Sequence, residues 1–482
     1  MRIRKLAKLR FADILILATA VIAVATGSAE SSVIISTAAT KHMVCAAGLC
    51  APTRIDAVLN ASDLETMLAS GNVEVTTTNP GNAEATNMDV RAALALNGAS
   101  TLSLAARQSV TVSAPISVGG PGGLSFTTDN GGTGGELTFG PNASASFANL
   151  SSPLTINGVS YTLVNSIASL ANAVEANTAG NYALAVSYDA SADGNYRLDP
   201  MNHVDGTIEG LGNTISNFSL QHNAGGGSVY WGLIGEIGVG GIVANLKLTK
   251  LHYKLNAKPR NKPAIIVGGL VGVNESTVYN DYASGTILAG SVVAGGLVGL
   301  SGGLIASSSA NVNVRSNSVA GGLIGLVDGT LNECYASGRV SAPTSGGLVG
   351  IDRDGSIMKS YGTGEVTGDG TSAVGGLVGQ IVTGARIADS YASGAVAGGQ
   401  ANALGGLVGE YESSTLADNY WDTTTSGTDD GVGGGNVSGI TGLTDMQFRA
   451  GLPVGFDPAI WAQKKSVNKG LPYLIANPPP TK

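Results

Sequence analysis

Gly268-Gly269-Leu270-Val271-Gly272 returns along the chain at 295–299, 321–325, 346–350, 375–379 and 405–409, with Val or Ile in the fourth place. The first glycines are 27, 26, 25, 29 and 30 residues apart, and a worn copy reads Trp231-Gly232-Leu233-Ile234-Gly235. Self-similarity at a period of about 20 to 50 residues is the mark of a repeat architecture. Each phrase is followed, 14 to 16 residues on, by a tyrosine and a glycine-containing strand: Tyr282-Ala283-Ser284-Gly285, Tyr335-Ala336-Ser337-Gly338, Tyr361-Gly362-Thr363-Gly364 and Tyr391-Ala392-Ser393-Gly394. Tyr420-Trp421-Asp422-Thr423 closes the series, and Ser309 replaces the ring in one copy. A fixed phase with elastic gaps is what a coil requires.

The units read as strands. Leu270 and Val271 form a short apolar run between turn residues, and Thr286-Ile287-Leu288 and Glu365-Val366-Thr367 are β-branched or alternating. Glycine admits positive φ at corners and lets backbones approach closely. One such unit cannot bury its apolar side alone, whereas stacked units share one core. The expected fold is an all-β, right-handed parallel β-helix with short helical caps or insertions. Its strands stack about 4.8 Å apart, so seven turns rise roughly 34 Å.

The phrase with its following Tyr-Ala-Ser-Gly resembles the GLUG motif. That motif occurs in large secreted bacterial surface proteins, including filamentous-haemagglutinin-like adhesins, and beside the catalytic domain of some IgA-cleaving metallopeptidases. The resemblance covers 231–425. The stretches 61–65, 71–77, 109–116 and 205–215, and the tail around Phe456-Asp457-Pro458 and Trp461, are similar to the flanks of such adhesins. It implies a secreted or cell-surface protein acting as a non-enzymatic, adhesin-like binding or spacer module. Its partner would be a host or matrix glycan or protein receptor, or the bacterial surface.

Composition agrees with a coil of small residues. Of 482 residues 71 are glycine, 12% are charged and 43% are hydrophobic, against about 25% charged and about 7% glycine in ordinary domains. The apolar fraction excludes disorder, and no strict three-residue period supports collagen. Residues 1–29 carry Arg2, Arg4, Lys5, Lys8 and Arg10 ahead of an apolar run at 14–25, the layout of a signal peptide. No other stretch is apolar for the 18 or so residues of a membrane span. The net charge of −8 argues against nucleic acid as partner.

The remaining expectations follow the chain. Residues 30–54 read as a linker with a possible Cys45–Cys50 loop, and Cys334 as a small side chain where other repeats have Ser360 and Ser390. Residues 55–150 read as a first β-solenoid section, opened by a capping box from Ser62 to Glu65. The glycine-rich turn 129–135 weakly resembles calcium-binding β-rolls. Residues 151–230 read as a connecting section with a hairpin at Asn157-Gly158 and a helix starting at Ser166. Lys247, Lys250, Lys254, Lys258, Arg260 and Lys262 fall in a stretch that lengthens one step to 37 residues. That stretch is expected to bulge as a loop, either plainly solvated or contacting an acidic glycan. Residues 426–482 read as a linker and cap, with Pro453, Phe456, Trp461, Pro472 and Tyr473 closing the last turn and 477–480 frayed.

The chain carries no His-Glu-x-x-His zinc signature and no P-loop. The best acid pairs for a carbohydrate-active enzyme, the alternative on this fold, are Asp352 with Asp354 and Asp389 with Asp418. The residues two before each tyrosine (Asn280, Glu333, Lys359, Asp389, Asp418) read as a solvated face. No catalytic, cofactor-binding or metal residue is assigned and no cofactor is expected. The tyrosines are expected to stack between neighbouring strands as a sheet-stabilising ladder, with a sugar-binding ladder as the alternative; for the chain as a whole a purely structural matrix role is a further alternative.

Overall fold

The computed structural model describes residues 31–79, 85–222, 229–255, 265–290, 292–400, 402–435 and 437–480. The expected export segment lies outside them. From Ser32 onward the chain is a parallel β-helix in two coils.

The first coil has faces of five, three and seven strands. Its strands are two to five residues long, with alternating burial that points Leu102, Leu124 and Leu154 inward in register. The stretch expected as a linker is already coil: Ser32–Ser36 pairs in parallel with 87–90, and Met43–Ala46 and Leu49–Pro52 form a hairpin closed by the Cys45–Cys50 disulfide. Helix α1 (Ala61–Leu68) is capped by Asn60, whose Oδ1 accepts from the amides of Ser62 and Asp63. Ser62 is therefore not the cap. Glu65 instead accepts the N–H of Ala95 at 2.8 Å, on the edge strand of the three-stranded face. The helix thus covers an open edge that would otherwise be a template for further pairing.

Asn157 and Gly158 both have positive φ and turn the hairpin at 156–159, as a two-residue turn of this kind requires. Helix α2 (Ile167–Ala176) starts at Ser166 with a reciprocal capping box to Ser169 and buries Ile167, Leu170 and Val174. It packs over the first turns of the second coil, which begins within the section expected as a connector: 162–164 pairs with 181–184, and 181–183 with 207–209. The coils meet through three asparagines from successive turns. Asn213, Asn245 and Asn280 donate to the carbonyls of Ala145, Leu137 and Phe139 at 2.8, 3.1 and 3.3 Å.

The second coil has three sheets, of seven (sheet I), sixteen (sheet II) and fourteen strands (sheet III). The repeated phrase is the corner from sheet I to sheet II. Gly268, Gly295, Gly321, Gly346, Gly375 and Gly405 stack in register at the end of sheet I. The following leucines, 270, 297, 323, 348, 377 and 407, are wholly buried, as is Leu233 of the worn copy. Close approach, not positive φ, fixes the glycines. A Cβ on Gly321 would stand 1.8 Å from the Ile324 carbonyl oxygen, and one on Gly322 2.1 Å from that of Gly347.

The left-handed corner lies elsewhere, at the position two before the tyrosine. Asn280, Ser307, Glu333, Lys359, Asp389 and Asp418 have φ between 49° and 54°. The varied side chains read as a solvated face share a backbone conformation that few non-glycine residues adopt. The next residue in each turn points inward and builds a polar ladder. The side chains of Asp281, Ser308, Cys334, Ser360, Ser390 and Asn419 each accept the backbone N–H one turn earlier, at 2.7 to 3.4 Å. Cys334 Sγ accepts from Ser308 and donates to the Asn332 carbonyl, as a serine would.

The basic stretch is not a bulging loop over its described part. Lys247–Leu255 is one long strand of sheet III, paired with 282–289. Lys258, Arg260 and Lys262 lie outside the described residues. Lys247 turns back to the first coil, where its Nζ donates to the carbonyls of Gly140, Pro141 and Ala143.

Candidate binding face

The tyrosines project from the outer side of sheet III, since their neighbours Ala283, Ala310, Ala336 and Ala392 fill the coil interior. Rings 335, 361 and 391 stack with centroids 4.9 and 5.0 Å apart and planes within 7°. They are nonetheless buried, because the C-terminal segment runs back along the side of the coil. Phe448, Phe456, Trp461, Leu471 and Leu474 pack on them as a separate apolar cluster. Tyr420 donates to the Val454 carbonyl and Tyr391 to that of Pro472, each at 2.6 Å. Asn477 reaches the carbonyls of Ser308 and Glu333, so this end is pinned rather than frayed. The tail is a lateral strap, not a plug on the last turn. It removes the rings from any role in sugar binding in this conformation.

The acid pairs lie at corners of the coil. Asp352 is wholly buried at a corner of sheet II, where its Oδ1 accepts the Gly355 N–H at 2.8 Å, while Asp354 faces solvent. Burial pushes the Asp352 carboxyl up to about 7. Asp389 and Asp418 occupy the left-handed corner of successive turns, so both project from one column. Burial, and then the Asp418 charge, raise Asp389. Glu209, buried where the coils meet, is raised to about 8 by desolvation although it accepts from the Leu211 amide and Asn245. Asp129 spends its carboxylate on the Gly135 amide at 2.7 Å. Among the described residues no cluster of His, Cys, Asp and Glu is arranged to hold a metal ion.

The outer face of sheet III beyond the strap is open. Two columns of outward side chains run along it. One passes through His252, Thr286, Asn313, Arg339 and Glu365; the other through Lys254, Leu288, Arg315, Ser341 and Thr367. Between them lies a cleft of about 210 Å³ lined by Thr286, Leu288, Asn313, Arg315, Arg339 and Glu365, among others. Arg339 Nη2 stands 3.2 Å from Glu365 Oε2. Its amide donates to Asn313 Oδ1 at 3.1 Å, which ties neighbouring turns at the cleft floor. The cleft escaped the sequence reading because its residues are scattered over 80 positions. The signal was the repeat phase: these residues stand four and six places after Tyr282, Ser309, Tyr335 and Tyr361.

Comparison with known proteins gives three similarities. The family model described as the GLUG motif matches residues 370–397, one phrase with its tyrosine. Halomucin from Haloquadratum walsbyi is 39% identical over 109 residues, which is 22% of this chain and 1% of halomucin. The chain therefore spans only a hundredth of that relative's length. A solved structure from Bacteroides ovatus, named for a candidate immunoglobulin A1 protease, superposes with a TM-score of 0.45 at 16% identity, over 66% of this chain and 93% of that one. The chain is thus a repeat protein carrying a GLUG motif on a largely parallel β-sheet fold.

Proposed function

We propose that this chain is a non-enzymatic extracellular repeat module, an adhesin-like binding or spacer element built on a stiff coil. The basic, then apolar, start of the sequence supports export, and the halomucin and GLUG similarities support an extracellular setting. One observation carries the reading. The aromatic ladder and the inward polar ladder are consumed in holding the coil together, and the open outer face of sheet III presents polar side chains in register over many turns. Repetition at a fixed spacing suits extended contact with a repeating ligand, where many weak contacts add through effective concentration.

The test is a glycan and host-matrix binding screen of the purified full-length chain, run beside a reducing-sugar release assay on acidic polysaccharides. Saturable binding without product is expected. Release of product would overturn the non-enzymatic reading.

A further inference from the structure

We propose that the cleft on the outer face of sheet III binds a carboxylated saccharide of the uronate class, held by Arg315 and Arg339. This rests on the reading of the chain as a binding module and names its ligand class and site. The guanidinium is the side chain whose planar fork matches a carboxylate, with two parallel hydrogen bonds. Two of them line one cleft from adjacent turns. Arg315 is exposed and has no ion pair among the described residues. Arg339 pairs with Glu365, but the two side chains are 75% and 43% exposed. Such a pair is worth little, so an incoming carboxylate can replace Glu365.

The rest of the cleft is neutral. Thr286 and Asn313 supply donors and acceptors for sugar hydroxyls, and Leu288, 40% exposed, offers an apolar patch to the C–H face of a ring. Lys254, exposed and one turn before Leu288, extends the cationic row along the coil axis. At about 210 Å³ the cleft is below the 300 to 1,000 Å³ of a drug-sized pocket. It holds one ring, with a longer chain lying across neighbouring turns. A dense polyanion such as nucleic acid is disfavoured. The chain carries −8 overall, and no aromatic side chain lines the cleft to stack a base. Locally cationic and globally acidic surfaces together select a ligand of sparse negative charge.

The test is calorimetric titration of the full-length chain with an oligogalacturonate and with its methyl ester, followed by Arg315→Ala, Arg339→Ala and Glu365→Gln. Saturable binding of the acid is expected, at least tenfold weaker for the ester and for each arginine variant, with melting temperatures unchanged. Glu365→Gln is expected to tighten binding by removing the competing carboxylate. Equal binding of acid and ester, or an Arg315→Ala/Arg339→Ala double variant that binds like the parent, would overturn the site. If the parent binds other ligands on the array but no oligouronate, the uronate assignment fails and the binding reading stands. If it binds nothing on either assay, both fail.

Discussion

The Tyr391 hydroxyl donates to the carbonyl of Pro472 at 2.6 Å across 81 positions of sequence, and the same hydroxyl accepts from Asn468 Nδ2 at 2.8 Å. That junction fastens the strap to the third ring of the stack. Tyr391→Phe keeps the ring and removes the hydroxyl, so it is expected to cost about 1 to 2 kcal/mol. Tyr391→Ala also opens a cavity under Phe448 and Phe456 and is expected to cost about 3 to 5 kcal/mol. Denaturant titration of the two variants ranks them. Equal losses would mean that ring packing adds nothing.

Removal of the strap should be read out by its apolar underside. Deleting 445–480 uncovers Tyr335, Tyr361, Tyr391 and Tyr420. The truncated chain is expected to bind a hydrophobic dye strongly and to melt at a lower temperature, because buried aromatics carry much of a small cluster's stability. Unchanged dye binding would show that the rings lie buried without it.

Cys334 tests the inward ladder. Cys334→Ser preserves an acceptor for the Ser308 amide and is expected to be neutral or stabilising. Cys334→Ala leaves that buried amide without a partner and is expected to cost about 1 to 3 kcal/mol. The comparison needs only the two melting curves. Similar curves for Ser and Ala would deny the ladder any energetic role.

The phrase glycines invite the same kind of contrast. In Gly321→Ala the new methyl would meet the Ile324 carbonyl at 1.8 Å, whereas around Gly451 there is open space within 4 Å. Gly321→Ala is expected to destabilise by at least about 1 to 3 kcal/mol; Gly451→Ala should lie within about 0.5 kcal/mol of the parent, as surface changes do.

Glu209 gives stability a pH dependence. Burial raises its carboxyl from 4.5 to about 8 in the folded chain, so between those values the folded state holds a proton that the unfolded state has released. The contribution is fully present below pH 4.5 and is lost as pH rises through about 8, at roughly 1.4 kcal/mol per pH unit. Glu209→Gln cannot titrate and is expected to flatten that part of the profile. The readout is the slope of melting temperature against pH, which is independent of the absolute cost of the substitution. An unaltered slope would place the dependence on another group.

Much of the coil was legible because its determinants repeat. Glycine at 268, 295, 321, 346, 375 and 405 is forced by carbonyls 1.8 to 2.0 Å from any added Cβ, so the period is written into the sequence. The ladder of rings followed from the tyrosine phase and the strand spacing. Features set by single, non-repeating contacts were not legible. Ser62 and Glu65 were misread as a capping box at α1, where Asn60 is the cap and the edge amide of Ala95 that claims Glu65 lies 30 residues away. The strap was read as an end cap because nothing in 445–480 announces that its partners are side chains of earlier turns. The left-handed corner was hidden by its mixed composition: Asn280, Glu333 and Lys359 share a φ, not a chemistry. The basic stretch was read as a loop from its length, although Lys247–Leu255 alternates buried and exposed residues toward its end.

The division between sealed ladder and open face is tested most directly by two variants measured side by side, Tyr391→Ala and Arg315→Ala, each for melting temperature and for saturable binding below its melting range. Tyr391→Ala is expected to melt earlier and bind as the parent does, and Arg315→Ala to melt as the parent does and bind at least tenfold more weakly. A Tyr391→Ala chain with an unchanged melting temperature and lost glycan binding would contradict the assignment of the rings to structure and of the arginine cleft to recognition.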